Sequence, residues 1–249
     1  MGRRIRLLGC EMDAVTTDEV MAHLAACVEA GRRSLVANHN LHSVHLYRRD
    51  ARMRALYALA DLVEIDSMPL IAWGRLLGYG LEREHRNTYL DWRERFWREA
   101  AARGWRVFHL GCRPGVGEAA RAALHERWPG VEIGERHGYF DMAGPENDAV
   151  LAEIAAFAPD ILLVGMGMPR QERWILDNWD RLPSAVTLPV GAAFDYEAGA
   201  VATPPRWTAA LHLEWLARFL AEPGRLFHRY FIEPWSLVPA ALADLTRRP

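Results

Sequence analysis

Residues 161–172 read Ile-Leu-Leu-Val-Gly-Met-Gly-Met-Pro-Arg-Gln-Glu: an apolar run, two glycines, a proline and then polar side chains. The apolar run predicts a buried strand, and Pro169 predicts the first turn of a helix, where its missing N–H has no partner anyway. A strand that ends in glycines and opens a helix presents backbone N–H groups to an anionic ligand. A tight turn without a ligand is the alternative. The candidate residues for binding a phosphate-bearing molecule are Gly165, Gly167, Arg170 and Gln171, and the side chains of Arg170, Gln171 and Glu172 are expected at the rim.

Strand and helix patterns alternate through the first 200 residues, which predicts an α/β fold with a mainly parallel, Rossmann-like sheet flanked by helices. Ligands of such a sheet bind at the carboxyl ends of the strands. Short apolar runs predict strands at Ser34–Ala37, Leu62–Ile65, Arg106–Leu110, Ile161–Val164 and Ala185–Val190. Apolar residues at helical spacing predict helices at Thr17–Ala30, Arg48–Ala60, Met68–Leu77, Tyr89–Ala102, Gly115–Trp128, Glu146–Phe157 and Arg170–Asn178.

The composition fits an enzyme of this class without naming one. A chain of 249 residues, 51% hydrophobic and 25% charged, fits one large α/β domain or one domain with an appendage. A net charge of −2 gives no general attraction to nucleic acid. Three scattered cysteines suit neither a disulfide framework nor a zinc site and predict a cytoplasmic protein. Apolar runs are shorter than the roughly 18 residues of a membrane span, so any membrane contact is expected to be peripheral.

The pattern changes after Ala200. Pro204 and Pro205 interrupt it, and the following residues predict helices rich in aromatic side chains and arginine, at Arg206–Leu220 and Arg225–Leu237. We therefore divide the chain into a catalytic domain, residues 1–200, and a C-terminal helical appendage, residues 201–249. The appendage either faces anionic lipid or pyrophosphate, or packs on the core with its arginines in solvent.

Asp66 is the first catalytic candidate. It follows the predicted strand Leu62–Ile65, so its carboxylate would lie beside the ligand crevice, placed to take a proton from an attacking hydroxyl. Its alternative role is to cap the helix that begins near Pro69.

Asn38 and Asn40 follow the predicted strand Ser34–Ala37. Their amides offer donors and an acceptor to sugar hydroxyls or to a uracil edge. Three histidines lie close by, but no carboxylate converges on them, and we predict no metal site. The histidines are His39, His42 and His45.

Three further features have weaker signals. Arg83 and Arg86 lie between two predicted helices, where they would clamp a pyrophosphate or simply be surface charges. The loop that begins at Gly111 departs from the Gly-x-Gly-x-x-Gly order of dinucleotide-binding folds, so we interpret it as a loop facing a sugar nucleotide. Asp195 binds ribose or the donor sugar, orients Arg206, or is only a turn carboxylate.

Several of these segments, taken in order, resemble the motifs of the WecG/TagA/CpsF family of bacterial glycosyltransferases. The resemblance extends from about Ser34 to about Tyr230. It implies a GT-E type fold and inverting transfer of a hexose-type sugar from a UDP-sugar donor to a polyprenyl-pyrophosphate-linked sugar, without a tightly bound metal. The segments are Asp66, Asp160, residues 161–172, Val190–Gly199, Pro204–Trp207, Glu214–Arg218 and Arg225.

The resemblance also assigns roles. Asp66 takes the position of the proposed base, Asn40 that of the asparagine in a Thr-x-Asn motif, and Asn38 that of its threonine. Arg86 is a closer match than Arg83 to an arginine of proposed importance. Ser67 stands where the family has glycine, which leaves the backbone there open, since serine tolerates positive φ less well.

The Asp-Ser-Met-Pro variant is similar to that of a GumM-like branch in exopolysaccharide biosynthesis. The resemblance further implies that Arg206 and Arg218 bind substrate and that the appendage meets the anionic inner face of the cytoplasmic membrane. Two other function classes stay open at this point: an NAD-dependent oxidoreductase, and a sugar-nucleotide-binding protein without catalytic activity.

Overall fold

The structure, a computed structural model, describes residues 2–203 and 214–246. The predicted binding residue Arg206 lies outside these ranges, and so does the side chain of Arg218. The strands are β1 Arg3–Leu7, β2 Cys10–Ala14, β3 Ser34–His39, β4 Leu62–Ile65, β5 Arg106–Gly111, β6 Glu132–Arg136, β7 Ile161–Gly165 and β8 Val186–Pro189. The α-helices are α1 Thr17–Glu29, α2 Leu41–Arg49, α3 Ala51–Leu59, α4 Met68–Leu76, α5 Tyr89–Arg103, α6 Val116–Arg127, α7 Gly144–Phe157, α8 Arg170–Asn178, α9 Ala193–Glu197, α10 Glu214–Ala221, α11 Pro223–Phe227 and α12 Val238–Thr246.

Six strands form one parallel sheet in the order β4-β3-β8-β7-β5-β6, which confirms the predicted α/β class. The five predicted apolar runs form the strands β3, β4, β5, β7 and β8, which are buried between helices on both faces of the sheet. The prediction omitted the edge strand β6 and the antiparallel hairpin β1–β2. Both alternate charged and apolar residues, because only one face of each is covered.

One predicted helix is two. The expected helix Arg48–Ala60 is divided at Asp50, whose side chain accepts a hydrogen bond from the Arg52 N–H at 2.8 Å and so caps α3. The preceding helix α2 begins directly after its N-cap Asn40, in a stretch that is polar on average, so the prediction missed most of this helix.

Helices cover the two faces of the sheet with separate hydrophobic cores. One core includes residues of α1, α5 and α6, and the other includes residues of α3, α7 and α8. A third cluster joins the hairpin β1–β2, α4 and residues 214–246 of the appendage, here called the C-terminal segment. Leu237 and Ala240 of this segment are buried in the cluster. The appendage therefore packs on the first part of the chain, on the side where β4 ends.

Candidate functional site

A cavity of about 1600 Å³ lies at the carboxyl ends of the parallel strands, where the alternation of strands and helices predicts the ligand. Its walls combine the ends of β3, β4, β7 and β8 with the C-terminal segment. The predicted site residues that line it are Asn38, Asn40, Asp66, Gly165, Gly167, Arg170, Gln171 and Asp195.

Asp66 stands at the end of β4, where its backbone N–H donates to the carbonyl oxygen of His39 at 2.8 Å. The Asn40 amide donates to its carboxylate oxygen Oδ2 at 3.3 Å. The N-cap residue of α4 is Ser67, so Asp66 does not occupy the capping position. Ser67 has φ −163°, an extended conformation, so serine fits without the strain that positive φ would bring.

Asn40 connects Asp66 to two other elements. As the N-cap of α2 it accepts a hydrogen bond from the Ser43 N–H at 3.1 Å, and its oxygen also accepts one from the Arg229 guanidinium at 3.3 Å. Because α2 fixes the oxygen end of this amide, the N–H end is turned toward Asp66. A residue of the C-terminal segment is thereby two hydrogen bonds away from the predicted base.

Asn38 joins two strands whose ends diverge. Its amide nitrogen donates to the carbonyl oxygen of Pro189 at 2.9 Å, which links β3 to the end of β8. The Tyr57 hydroxyl donates to its backbone oxygen at 2.6 Å. The neighbouring His39 is buried and stacked on Tyr57, and burial lowers its pKa to about 3, so its ring is a neutral core group.

Gln171 has a buried structural function at the turn after β7. Its side-chain oxygen accepts hydrogen bonds from the N–H groups of Gly167 and Gly191, at 3.0 and 3.2 Å. Its amide nitrogen donates to Glu172 at 2.8 Å. The expectation that these side chains stand at the rim is wrong for Gln171 and Glu172, which are each 1% exposed. Gln171 positions two glycine turns that face the cavity.

Glycine is required where the strands β5, β7 and β8 end close together. A Cβ atom on Gly111 would lie 2.2 Å from the carbonyl oxygen of Gly165, and one on Gly165 would lie 2.5 Å from that of Gly191. Gly111 thus allows the backbones to approach, while the residue after it, Cys112, lines the cavity. Burial raises the pKa of the Cys112 thiol to about 12, so this sulfur is not a thiolate at neutral pH.

Arg170 holds a loop at the mouth of the cavity. Its guanidinium donates to the carbonyl oxygen of Phe140 at 2.6 Å and to that of Gly138 at 3.2 Å. Asp195, in the short helix α9, also lines the cavity. Burial raises the pKa of the Asp195 carboxyl, and the charge of Arg113 opposes that rise.

Arg83 and Arg86 lie outside this cavity. Both line a second, shallower depression together with Thr16, Asp18 and neighbouring residues. The Arg86 guanidinium is buried and pairs with the carboxylate of Asp91 at 2.9 Å. The backbone of Arg86 nevertheless forms a parallel bridge with Ile65, the residue before Asp66, and Asn87 and Thr88, next along the chain, line the cavity.

The C-terminal segment contributes a wall that sequence reasoning did not resolve into residues. His42 of α2 contacts the Glu233 carboxylate at 2.6 Å, and His45 contacts the Ser236 hydroxyl at the same distance.

The sequence analysis also missed Glu64, a charged side chain inside the apolar run of β4 that lines the cavity. That break in the run is the signal that marks it.

The WecG/TagA/CpsF glycosyl transferase family model matches residues 5–249. The chain belongs to this family. The match covers Asp66, the glycine turns and the C-terminal segment, and it confirms the resemblance given by the sequence motifs. Family membership favours the transferase interpretation over the oxidoreductase one.

Curated relatives of this family member include proteins of Staphylococcus aureus. An N-acetylglucosaminyldiphosphoundecaprenol N-acetyl-beta-D-mannosaminyltransferase of strain MRSA252 is 38% identical over 121 residues, which are 49% of this chain and 46% of the relative. Proteins of the same name from strains NCTC 8325 and COL are 37% identical over the same shares. The chain spans about half the length of the curated relatives it matches.

No group of three or more His, Cys, Asp or Glu side chains is placed to hold a metal ion within residues 2–203 and 214–246. In the same part of the chain, none of the helices has the length and hydropathy of a membrane span.

Proposed function

We propose that this family member is an inverting glycosyltransferase that moves a hexose-type sugar from a UDP-sugar to a polyprenyl-pyrophosphate-linked sugar, in cell-envelope or exopolysaccharide biosynthesis. The observation that carries the proposal is the position of Asp66. It lies in the same cavity as the glycine turns of β7 and β8 and is hydrogen-bonded by Asn40. The activity for which the relatives are named, transfer to an undecaprenol-diphosphate-linked sugar, supports the acceptor class.

The cavity suits a single displacement. Asp66 accepts the proton of the acceptor hydroxyl, whose oxygen bonds to the anomeric carbon while the bond from that carbon to the diphosphate oxygen breaks. Charge then develops on the departing UDP. The N-terminus of α8, the turns held by Gln171 and the nearby Arg113 and Arg170 supply positive potential there.

The sheet order sets the distance between base and leaving group. Two strands, β3 and β8, separate β4 from β7. At about 4.8 Å per strand spacing, Asp66 and the β7 turn face each other across roughly 14 Å. This span leaves room for a sugar ring and a diphosphate between the base and the glycines, as an in-line displacement requires.

A transfer assay tests the proposal directly. The protein is incubated with a panel of UDP-sugars and a polyprenyl-diphosphate-linked N-acetylglucosamine, and the lipid product is followed by mass spectrometry. We expect transfer from one donor of the panel, and that donor raises the melting temperature because it binds only the native state. Stabilisation by NAD with none by any UDP-sugar would contradict the proposal.

Arg170→Ala should weaken UDP binding by roughly tenfold, because the loop at Gly138–Phe140 loses the charged hydrogen bonds that fix it at the cavity mouth. Isothermal titration with UDP measures this. Arg173→Ala is the matched control, since that arginine lies one turn further along α8 and pairs with Asp50 on the surface. Equal UDP affinity in the two variants would show that Arg170 and the turn between β7 and α8 have only a structural role.

We also propose that the C-terminal segment docks on the anionic inner face of the cytoplasmic membrane, where a polyprenyl acceptor resides. Large apolar side chains of this segment are exposed, among them Trp235 at 75% and Leu242 at 59%. Exposed apolar groups beside a cavity for a lipid-linked substrate fit an interfacial anchor. We include Arg206 and Arg218 in this proposal because their positive charges would be attracted to an anionic membrane.

The double variant Trp235→Ser with Leu242→Ser should lose most of its binding to vesicles, because burying these side chains in the interface supplies on the order of 2 kcal/mol each. Flotation with anionic phosphatidylglycerol vesicles measures the loss, and added salt should weaken binding of the unmodified protein. Leu59→Ser, an exposed leucine on α3, is the control. Binding that survives the double variant would place the membrane contact elsewhere.

A further inference from the structure

Glu64 is a buried carboxyl group at the cavity floor. It stands in β4 two residues before Asp66, so the two side chains leave the strand on the same face. Its residue exposure is 3%, and its Oε1 atom has no hydrogen-bond partner within the described part of the chain. It nevertheless lines the cavity.

A buried polar atom without a partner is costly, and native proteins leave few of them. Seven described residues carry such a side-chain atom, and of these Glu64 is the one that also lines the cavity. The comparable buried Glu172 lies away from it and receives a hydrogen bond from Gln171. The missing partner of Glu64 is therefore expected to come from the contents of the cavity.

Glu64 has a chemical complement on the neighbouring strand. Parallel pairing aligns it with Asn38 of β3, whose amide nitrogen is committed to Pro189 and whose amide oxygen is left as an acceptor. Burial, reinforced by the charge of Asp66, raises the pKa of the Glu64 carboxyl well above its usual range. A neutral carboxyl donates one O–H. The pair thus offers a donor and an acceptor side by side, which matches sugar hydroxyls.

The position of Glu64 and Asn38 in the sheet indicates that they face the transferred sugar of the donor rather than the sugar of the acceptor. In a single displacement the anomeric carbon lies between the acceptor hydroxyl at Asp66 and the diphosphate at the glycine turns. The floor beneath that carbon is formed by β3 and β8, which Asn38 links. We propose that Glu64 and Asn38 form the subsite that binds the hydroxyl groups of the transferred sugar ring. This inference rests on the proposed function.

The test compares UDP with the UDP-sugar that the wild-type protein transfers. Glu64→Met replaces the carboxyl by an apolar side chain of similar shape, and Glu64→Gln keeps a hydrogen-bond donor. We expect Glu64→Met to lower affinity for the UDP-sugar roughly 10- to 100-fold while affinity for UDP stays within about threefold. Glu64→Gln should keep most of the UDP-sugar affinity. Isothermal titration supplies all four comparisons.

The melting temperature of the Glu64→Met variant distinguishes a ligand-binding role of Glu64 from a role in the stability of the fold. Removing an unpaired polar atom from a buried position should leave the ligand-free melting temperature of Glu64→Met equal or higher, as happens when a functional site is stabilised at the expense of activity. A lower melting temperature with the ratio of UDP-sugar to UDP affinity unchanged would overturn the subsite.

The outcomes also distinguish this inference from the proposed function. If the wild-type protein binds and transfers a UDP-sugar and Glu64→Met does so equally well, the subsite alone fails. If the wild-type protein binds no UDP-sugar of the panel, the proposed function fails and the subsite with it.

Discussion

Asp66→Asn should lower turnover by roughly 10²- to 10⁴-fold while affinity for UDP changes little. Asparagine keeps the size of the side chain, so the end of β4 and its hydrogen bond from the Asp66 N–H to His39 are preserved. What it removes is the carboxylate that we propose as the acceptor of the proton of the attacking hydroxyl. Steady-state transfer to the lipid-linked acceptor, combined with UDP titration, separates the lost chemical step from lost binding.

The matched control is Asp61→Asn. Asp61 stands at the other end of the same strand, where its carboxylate accepts a hydrogen bond from the Leu35 N–H at 3.1 Å. Because it lies at the amino edge of the sheet, away from the cavity, we expect turnover within about twofold of wild type and a small loss of stability. Near-normal turnover in a folded Asp66→Asn protein would remove the base assignment.

Gly111→Ala should lower the free energy of unfolding by about 3 kcal/mol and weaken UDP binding by more than tenfold. The added methyl group would lie 2.2 Å from the carbonyl oxygen of Gly165 and 2.7 Å from its Cα. These atoms are backbone, so β5 and β7 have to separate, and the turn held by Gln171 moves with β7. Denaturant unfolding and UDP titration of the same preparation measure the two effects.

Gly130→Ala is the control for the change of residue type. A Cβ atom there would have its nearest neighbour, the carbonyl oxygen of Ala101, at 3.5 Å, an ordinary contact. We expect an effect within roughly 0.5 kcal/mol. If Gly111→Ala behaved like Gly130→Ala, the close approach of β5 and β7 would have no part in forming the cavity.

The sheet and much of the cavity follow from the sequence because both rest on local patterns. The apolar runs mark the inner strands, and helix α8 begins and ends at the predicted residues Arg170 and Asn178. Parallel strands end at a common edge, so Asp66 and Asn40, which follow two such runs, were expected to lie together. Their hydrogen bond agrees with that expectation.

Other features depend on tertiary contacts that no local pattern encodes. Gln171 and Glu172 follow a turn in a polar sequence, yet packing buries them. Arg86 is directed onto Asp91, and the sequence gives only its position along the chain. Glu64 is hidden in an apolar run, and Arg229 reaches Asn40 across 189 positions of sequence. In each case the missing information is the direction of a side chain.

The order of the strands also has a consequence for how the protein is made. Strand β8 pairs with β3, and the hydrogen bond between Asn38 and Pro189 joins residues 151 positions apart. Contacts of such sequence separation form slowly. During synthesis, Asn40 and Asp66 leave the ribosome long before β8. Until β8 is made, the edge of β3 that pairs with it is unpaired and exposed to association with other chains. These two residues are translated early, but the cavity that they line exists only after the central strand has been inserted.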